Sequence, residues 1–186
     1  MLIVPKQYSS LEFIEPIQWE DIFQTWKAGE AWQASWKKHW ESRGFSSWDE
    51  WREAYAAPLH PKSLKWFLYE IKNPLQDLPF FFAVPSRSWI DKAYGGETTK
   101  QLKNLLDLPI IQDNPKILEI KEKFPPETML TGLLWQDEII LVEGMHRACA
   151  LAGWDARVPF KGKVKLALAE WNEKEIPVIG GNYKKK

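Results

Sequence analysis

The stretch from Ile139 to Ala152 constrains this chain more than any other. It runs Ile139-Ile140-Leu141-Val142, then Glu143-Gly144-Met145-His146-Arg147, then Ala148-Cys149-Ala150-Leu151-Ala152. Four consecutive apolar residues fit a short buried strand. The small residues after Arg147 fit a helix lying close against a sheet, with Gly153 as its stop. A strand that feeds straight into a helix needs a fold holding both element types, which rules out a pure bundle or a pure sandwich. The corner also has a chemical consequence. The first turn of a helix presents unpaired N–H groups and the positive end of the macrodipole. Gly144 lets an anion approach the backbone, Arg147 adds a planar charged fork, and His146 can donate or exchange a proton near neutral pH.

The second unusual feature is twelve tryptophans in 186 residues. Trp19, Trp26, Trp32, Trp36, Trp40, Trp48 and Trp51 all fall in the first third. Trp32, Trp36 and Trp40 recur every four residues, on one face of a helix bracketed by Gly29 and Gly44. Ser47 followed by Glu50 has capping-box spacing and opens a helix to about Ala57, before Pro58 and Pro61. The stripe reads either as core aromatics sealing a helical layer or as a surface for a protein partner, base or sugar. Nine acidic against six basic residues in 1–60 weigh against nucleic acid as that partner.

Further along, Ser63 to Ile71 suits a helix or a strand. Phe80 to Val84, between prolines, reads as a short buried strand. Tyr94-Gly95-Gly96 reads as a turn, and Glu97 to Leu108 as a helix with Leu102, Leu105 and Leu106 inward. Pro115 to Lys123 suits a short helix. Thr128 to Trp135 and Glu138 to Val142 read as strands joined at Gln136-Asp137, and Val164 to Trp171 as a last strand. The organisation expected is a Trp-rich helical extension over 1–60 packed on the core, an α+β (α/β) domain over 61–180, and a disordered tail over 181–186.

The strand, Gly144-Met145-His146-Arg147 and the small-residue helix together resemble the phosphate site of the ParB/sulfiredoxin superfamily. The resemblance covers about Pro125 to Trp171 and is sharpest over Glu143 to Ala152. It implies a small mixed sheet with helices, binding a nucleotide or other phosphate-bearing small molecule at Gly144, Met145, His146 and Arg147. The ligand so implied is ATP, ADP or CTP with Mg²⁺. Sulfiredoxins carry a nucleophilic cysteine where this chain has Met145, so sulfinic-acid reduction is not expected. ParB partition proteins carry paired arginines in this box followed by a DNA-binding helical region, whereas here the pair is His146-Arg147 and about 30 residues follow Gly153, so partition-type DNA clamping is not expected. The resemblance leaves three readings open: phosphoryl transfer or hydrolysis with Glu143 as base or metal ligand and His146 as acid or base; ligand sensing without catalysis, with the aromatic layer engaging a partner; and nucleic-acid processing as in ParB-like nucleases. In sulfiredoxin-like proteins a basic, hydroxyl-bearing helix start assists the phosphate site, which points to Thr98, Thr99, Lys100 and Lys103. Those two threonines also suit plain helix caps, and Glu143 also suits a strand end that faces solvent or pairs with Arg147.

Other classes are excluded or disfavoured by composition. Basic and acidic residues balance at 25 each, without the excess of a general duplex-DNA binder. Cys149, the only cysteine, cannot make an intramolecular disulfide and falls in a packing stripe. No P-loop, dinucleotide fingerprint, nucleophile elbow or zinc-type spacing occurs, so no metal site is expected from the protein's own ligands. The first five residues do not make a signal peptide, and no apolar run spans a bilayer, so the cytoplasm is the expected compartment.

Overall fold

In the computed structural model, residues 2–181 and 183 are described. Their framework is a five-stranded mixed sheet in the order β1-β2-β5-β3-β4, which makes the fold α+β. The strands are β1 (Leu11–Ile17), β2 (Trp66–Ile71), β3 (Glu127–Trp135), β4 (Glu138–Glu143) and β5 (Lys163–Glu170). Only β3 and β5 pair in parallel, and the other neighbours are antiparallel. Gln136 and Asp137 carry positive φ angles of 50° and 66°, the left-handed conformation a tight two-residue hairpin needs between β3 and β4.

Three helices form the aromatic layer: α1 (Trp19–Glu30), α2 (Ala34–Glu41) and α3 (Trp48–Ala56). On α1, Trp19, Ile22, Phe23 and Trp26 follow the i, i+3, i+4, i+7 pattern and are all buried. The Trp26 indole donates to Thr131 Oγ1 at 3.0 Å, fastening α1 to β3. Ser47 Oγ accepts from the Glu50 amide as the sequence predicts, and the Glu50 carboxylate accepts from the Ser46 amide. Trp48, Trp51 and Ala56 of α3 are also core. The tryptophan stripe is therefore split. Trp32 lies in the turn before α2 and is 78 % exposed, whereas Trp36 and Trp40 are half-buried. Gly29 does not start a helix: α1 runs through it, and the break falls at Ala31–Gln33.

The remaining helices are α4 (Pro74–Asp77), α5 (Arg87–Ala93), α6 (Pro109–Gln112), α7 (Pro115–Glu122) and α8 (Met145–Ala152). Helix α8 packs against α7, α4 and the turn at Leu78–Phe80. Side chains alternate along a strand, so Thr131 meets α1 on one face of β3 while Leu130 meets Gly144 on the other. The sheet is thus covered on both sides.

Three expectations from the sequence need correcting. Residues 1–60 are not wholly helical, because β1 lies within them ahead of α1–α3 and pairs with β2. Of the two readings open for Ser63 to Ile71, the strand holds, over Trp66–Ile71. Phe80 to Val84 forms no continuous strand; Phe82 alone bridges Gln101 and Ile140 and covers the free edge of β4. Glu97 to Leu108 is not a helix, because Lys100 and Leu102 are drawn into backbone pairing with Ala83 and Phe81, leaving one tight turn at Leu102–Asn104. The tail is docked as far as Gly181: Ile179 is fully buried, and Gly180 and Gly181 pass against Tyr55 and Arg87. Residues 182 and 184–186 of the expected tail lie outside the described residues. Among the described residues no helix is long and apolar enough to cross a membrane.

Candidate functional site

Gly144 turns the chain from β4 into α8 with φ +94° and ψ 16°, a conformation side-chain-bearing residues rarely adopt. A Cβ there would collide with the Leu130 side chain. The glycine also leaves α8 without a side-chain cap. The amides of Met145, His146 and Arg147 therefore have neither an intrahelical acceptor nor a capping oxygen. Gly144 and Met145 are buried, and His146 and Arg147 are partly exposed.

The Arg147 guanidinium is already engaged. Its Nη2 donates to both carboxylate oxygens of Glu143, at 2.5 and 2.7 Å, and its Nη1 donates to Thr128 Oγ1 at 2.6 Å. The Glu143 side chain is only 8 % exposed. Arg147 therefore acts first as the counter-ion of a buried carboxylate, and Glu143 is presented to Arg147 rather than to a metal ion or a reacting hydroxyl. Both positions keep their place in the corner, and of the readings open for Glu143 it is the pairing with Arg147 that holds.

His146 packs edge-on against Trp89, with ring centroids 5.8 Å apart. Burial, reinforced by the positive charges of Lys116 and Arg147, lowers its pKa to about 4. At pH 7 the ring is neutral, with one donor and one acceptor nitrogen.

Lys116 was not singled out by the sequence. It sits in the first turn of α7, where Asn114 Oδ1 caps the backbone amides of Lys116 and Ile117. A cation in a first helical turn opposes the macrodipole, and that mismatch was the available signal. Its ammonium lies 4.5 Å from the centroid of Trp36, and no carboxylate lies within ion-pair distance among the described residues. Burial lowers its pKa; Arg147 and Arg52 act in the same direction, while Glu30 and Glu143 oppose them.

The helical layer reaches the same region through α3. The Arg52 side chain is buried, pairs with Glu30 through Nε at 2.8 Å and through Nη2, and lies over the rings of Trp51 and Tyr55 at 4.5 and 4.6 Å. Tyr55 Oη donates to Val142 O at 2.8 Å, directly before Glu143. Glu30, Arg52, Glu143, Arg147, Lys116 and His146 thus form one electrostatic neighbourhood where the aromatic layer meets the Gly144 corner.

The expected second anion site does not join it. Thr98 is exposed on a loop, Thr99 Oγ1 donates to Ala83 O, and Lys100 pairs with Glu97 at 2.9 Å while donating to Tyr94 O at 3.3 Å. Lys103 lies over Phe80 instead. No helix begins there, so the amides that would have held an anion are not arrayed for it. Cys149 is buried and its thiol pKa is pushed up to about 12, a packing residue rather than a nucleophile. No group of three His, Cys, Asp or Glu side chains among the described residues is arranged to hold a metal ion. Two cavities, of about 230 and about 470 Å³, share Trp19 and Lys62 in their walls, and neither is lined by Gly144–Arg147. No family model, curated protein or solved structure matches the chain.

Proposed function

We propose that this chain is a divergent ParB/sulfiredoxin-like protein that binds a phosphate-bearing small molecule at the start of α8. The observation that carries the reading is the pairing of an uncapped helix start with Lys116, a nearby cation that lacks a carboxylate partner. The uncapped amides supply directed donors, Lys116 supplies charge, and neutral His146 supplies one further donor. Arg147 contributes by holding Glu143, which keeps that carboxylate from repelling the anion at close range. The reading favours binding over catalysis, since Glu143 has both oxygens committed to Arg147. The aromatic layer is mostly core, with Trp32 the one strongly exposed tryptophan, which favours a ligand-holding role over a bare partner surface.

The test is a titration of the ¹⁵N-labelled protein with inorganic phosphate, pyrophosphate, ADP, CTP and a simple phosphodiester, each with and without Mg²⁺. The amide resonances of Gly144 to Arg147 are expected to move together and saturably. A matching thermal shift follows from linkage, roughly 2.7 kcal/mol at a hundredfold excess over Kd. If no probe moves those amides, the reading fails.

A further inference from the structure

The charges acting on Lys116 cancel in pairs and leave its own charge unmatched. Arg52 and Arg147 each hold a carboxylate, Glu30 and Glu143 respectively, at ion-pair distance. These are also the charged groups that act on Lys116. With His146 neutral, this neighbourhood carries two negative and three positive charges, and Lys116 is the unmatched cation.

A second imbalance lies on the aromatic ring Lys116 touches. The Trp36 Nε1–H is sealed from solvent and has no hydrogen-bond acceptor. A buried indole donor without a partner is rare and costs free energy comparable to a lost hydrogen bond. The ammonium without a carboxylate and the indole without an acceptor therefore meet in one contact, Lys116 over Trp36. Both lack the same thing, an acceptor oxygen carrying negative charge. Trp36 stands on α2, which has no fully buried residue, so this helix can shift against α3 more readily than α1 can.

We infer that Lys116 and Trp36 together hold one singly charged oxyanion, and that the ligand's phosphate is a diester rather than a terminal monoester. The inference rests on the proposed site at the start of α8 and names the charge class of its ligand. One negative charge brings the neighbourhood to neutrality. A dianion leaves an excess negative charge beside Glu143 and Glu30 in a partly desolvated seam, where like charges repel more strongly than in water.

Two probes of matched shape separate the cases: methyl phenyl phosphate, a monoanion, and phenyl phosphate, a dianion at pH 8. Calorimetry at pH 8 is expected to show the diester binding roughly tenfold more tightly. Lys116→Gln is expected to weaken it roughly tenfold to a hundredfold, as for loss of a charged hydrogen bond, with Lys116→Arg restoring most of the affinity. Trp36→Phe keeps the ring but removes the donor, and is expected to weaken the diester several-fold without loss of stability. Lys116 is partly exposed and its capped amide is backbone, so the lysine variants leave the fold intact. Tighter binding of phenyl phosphate, or undiminished diester binding in both Lys116→Gln and Trp36→Phe, overturns the inference while amide shifts at Gly144–Arg147 keep the site itself standing. If neither probe moves those amides, the site and the inference fall together.

Discussion

Replacing Gly144 by alanine tests whether the corner has the shape on which its chemistry depends. Alanine at φ +94° is strained, and left-handed backbone costs a side-chain-bearing residue about 1–2 kcal/mol. Its Cβ must also displace Leu130, which is fully buried in a filled core, adding about 1–3 kcal/mol. The sum is ~2–5 kcal/mol, a large share of the roughly 5–15 kcal/mol typical of a folded domain. For a chain of this size it lowers Tm by roughly 4–20 °C. Urea unfolding followed by tryptophan fluorescence measures it directly. A double-mutant cycle separates the two contributions, because Leu130→Val removes the methyl that Gly144→Ala would strike. In that background the alanine should cost only its backbone strain, so the two changes should couple by at least ~1 kcal/mol. A loss under about 1 kcal/mol, or strict additivity with Leu130→Val, refutes the close packing of Gly144 on β3.

Three further outcomes are expected. The unfolded chain protonates His146 near its ordinary 6.5, whereas the folded pKa is about 4, so folding stability should fall as pH drops from 6.5 to about 4. The full gap is worth roughly 3 kcal/mol, reduced to ~1–2 kcal/mol by the ring's partial solvent contact, and His146→Gln should lose that part of the slope between urea midpoints at pH 7.5 and 4.5; equal slopes refute it. His39, also lowered to about 4, should keep its own share of the pH dependence in that variant. Arg147→Ala should destabilise by about 3–5 kcal/mol because the Glu143 carboxylate is left buried and unpaired, and Arg147→Ala with Glu143→Ala should melt above the single variant. Trp26→Phe should cost about 1–3 kcal/mol by stranding buried Thr131, whereas exposed Trp32→Ser should stay within about 0.5 kcal/mol in the same denaturation assay.

The elements readable from the sequence were those whose residues decide their own conformation. The hairpin at Gln136-Asp137, the Ser47 cap and the strand–glycine–helix corner each carry local chemistry that permits few alternatives. The misread elements are settled by distant partners. Glu97 to Leu108 has helical spacing, yet Ala83 and Phe81 claim its backbone groups. Nothing within 1–60 marks β1 as part of the sheet, because its partner β2 lies beyond three intervening helices. At the site, the sequence located Glu143 and Arg147 and offered their pairing as the alternative to a free base, and that pairing is what forms. Lys116 was missed because it comes from another helix, and only packing of α7 against α8 brings it near His146.

The strand order has a consequence for how the chain reaches its native state. The middle strand of the sheet, β5, is the last of the five in sequence. Before it arrives, β1 with β2 and β3 with β4 are two separate pairs with no shared ladder, and each offers an unpaired inner edge. Emerging from a ribosome, the chain must therefore keep β2 and β3 from pairing with other molecules until Lys163 to Glu170 slots between them. A nick in the exposed segment 155–159, or a stop before residue 163, should thus yield an aggregating product rather than a smaller folded one.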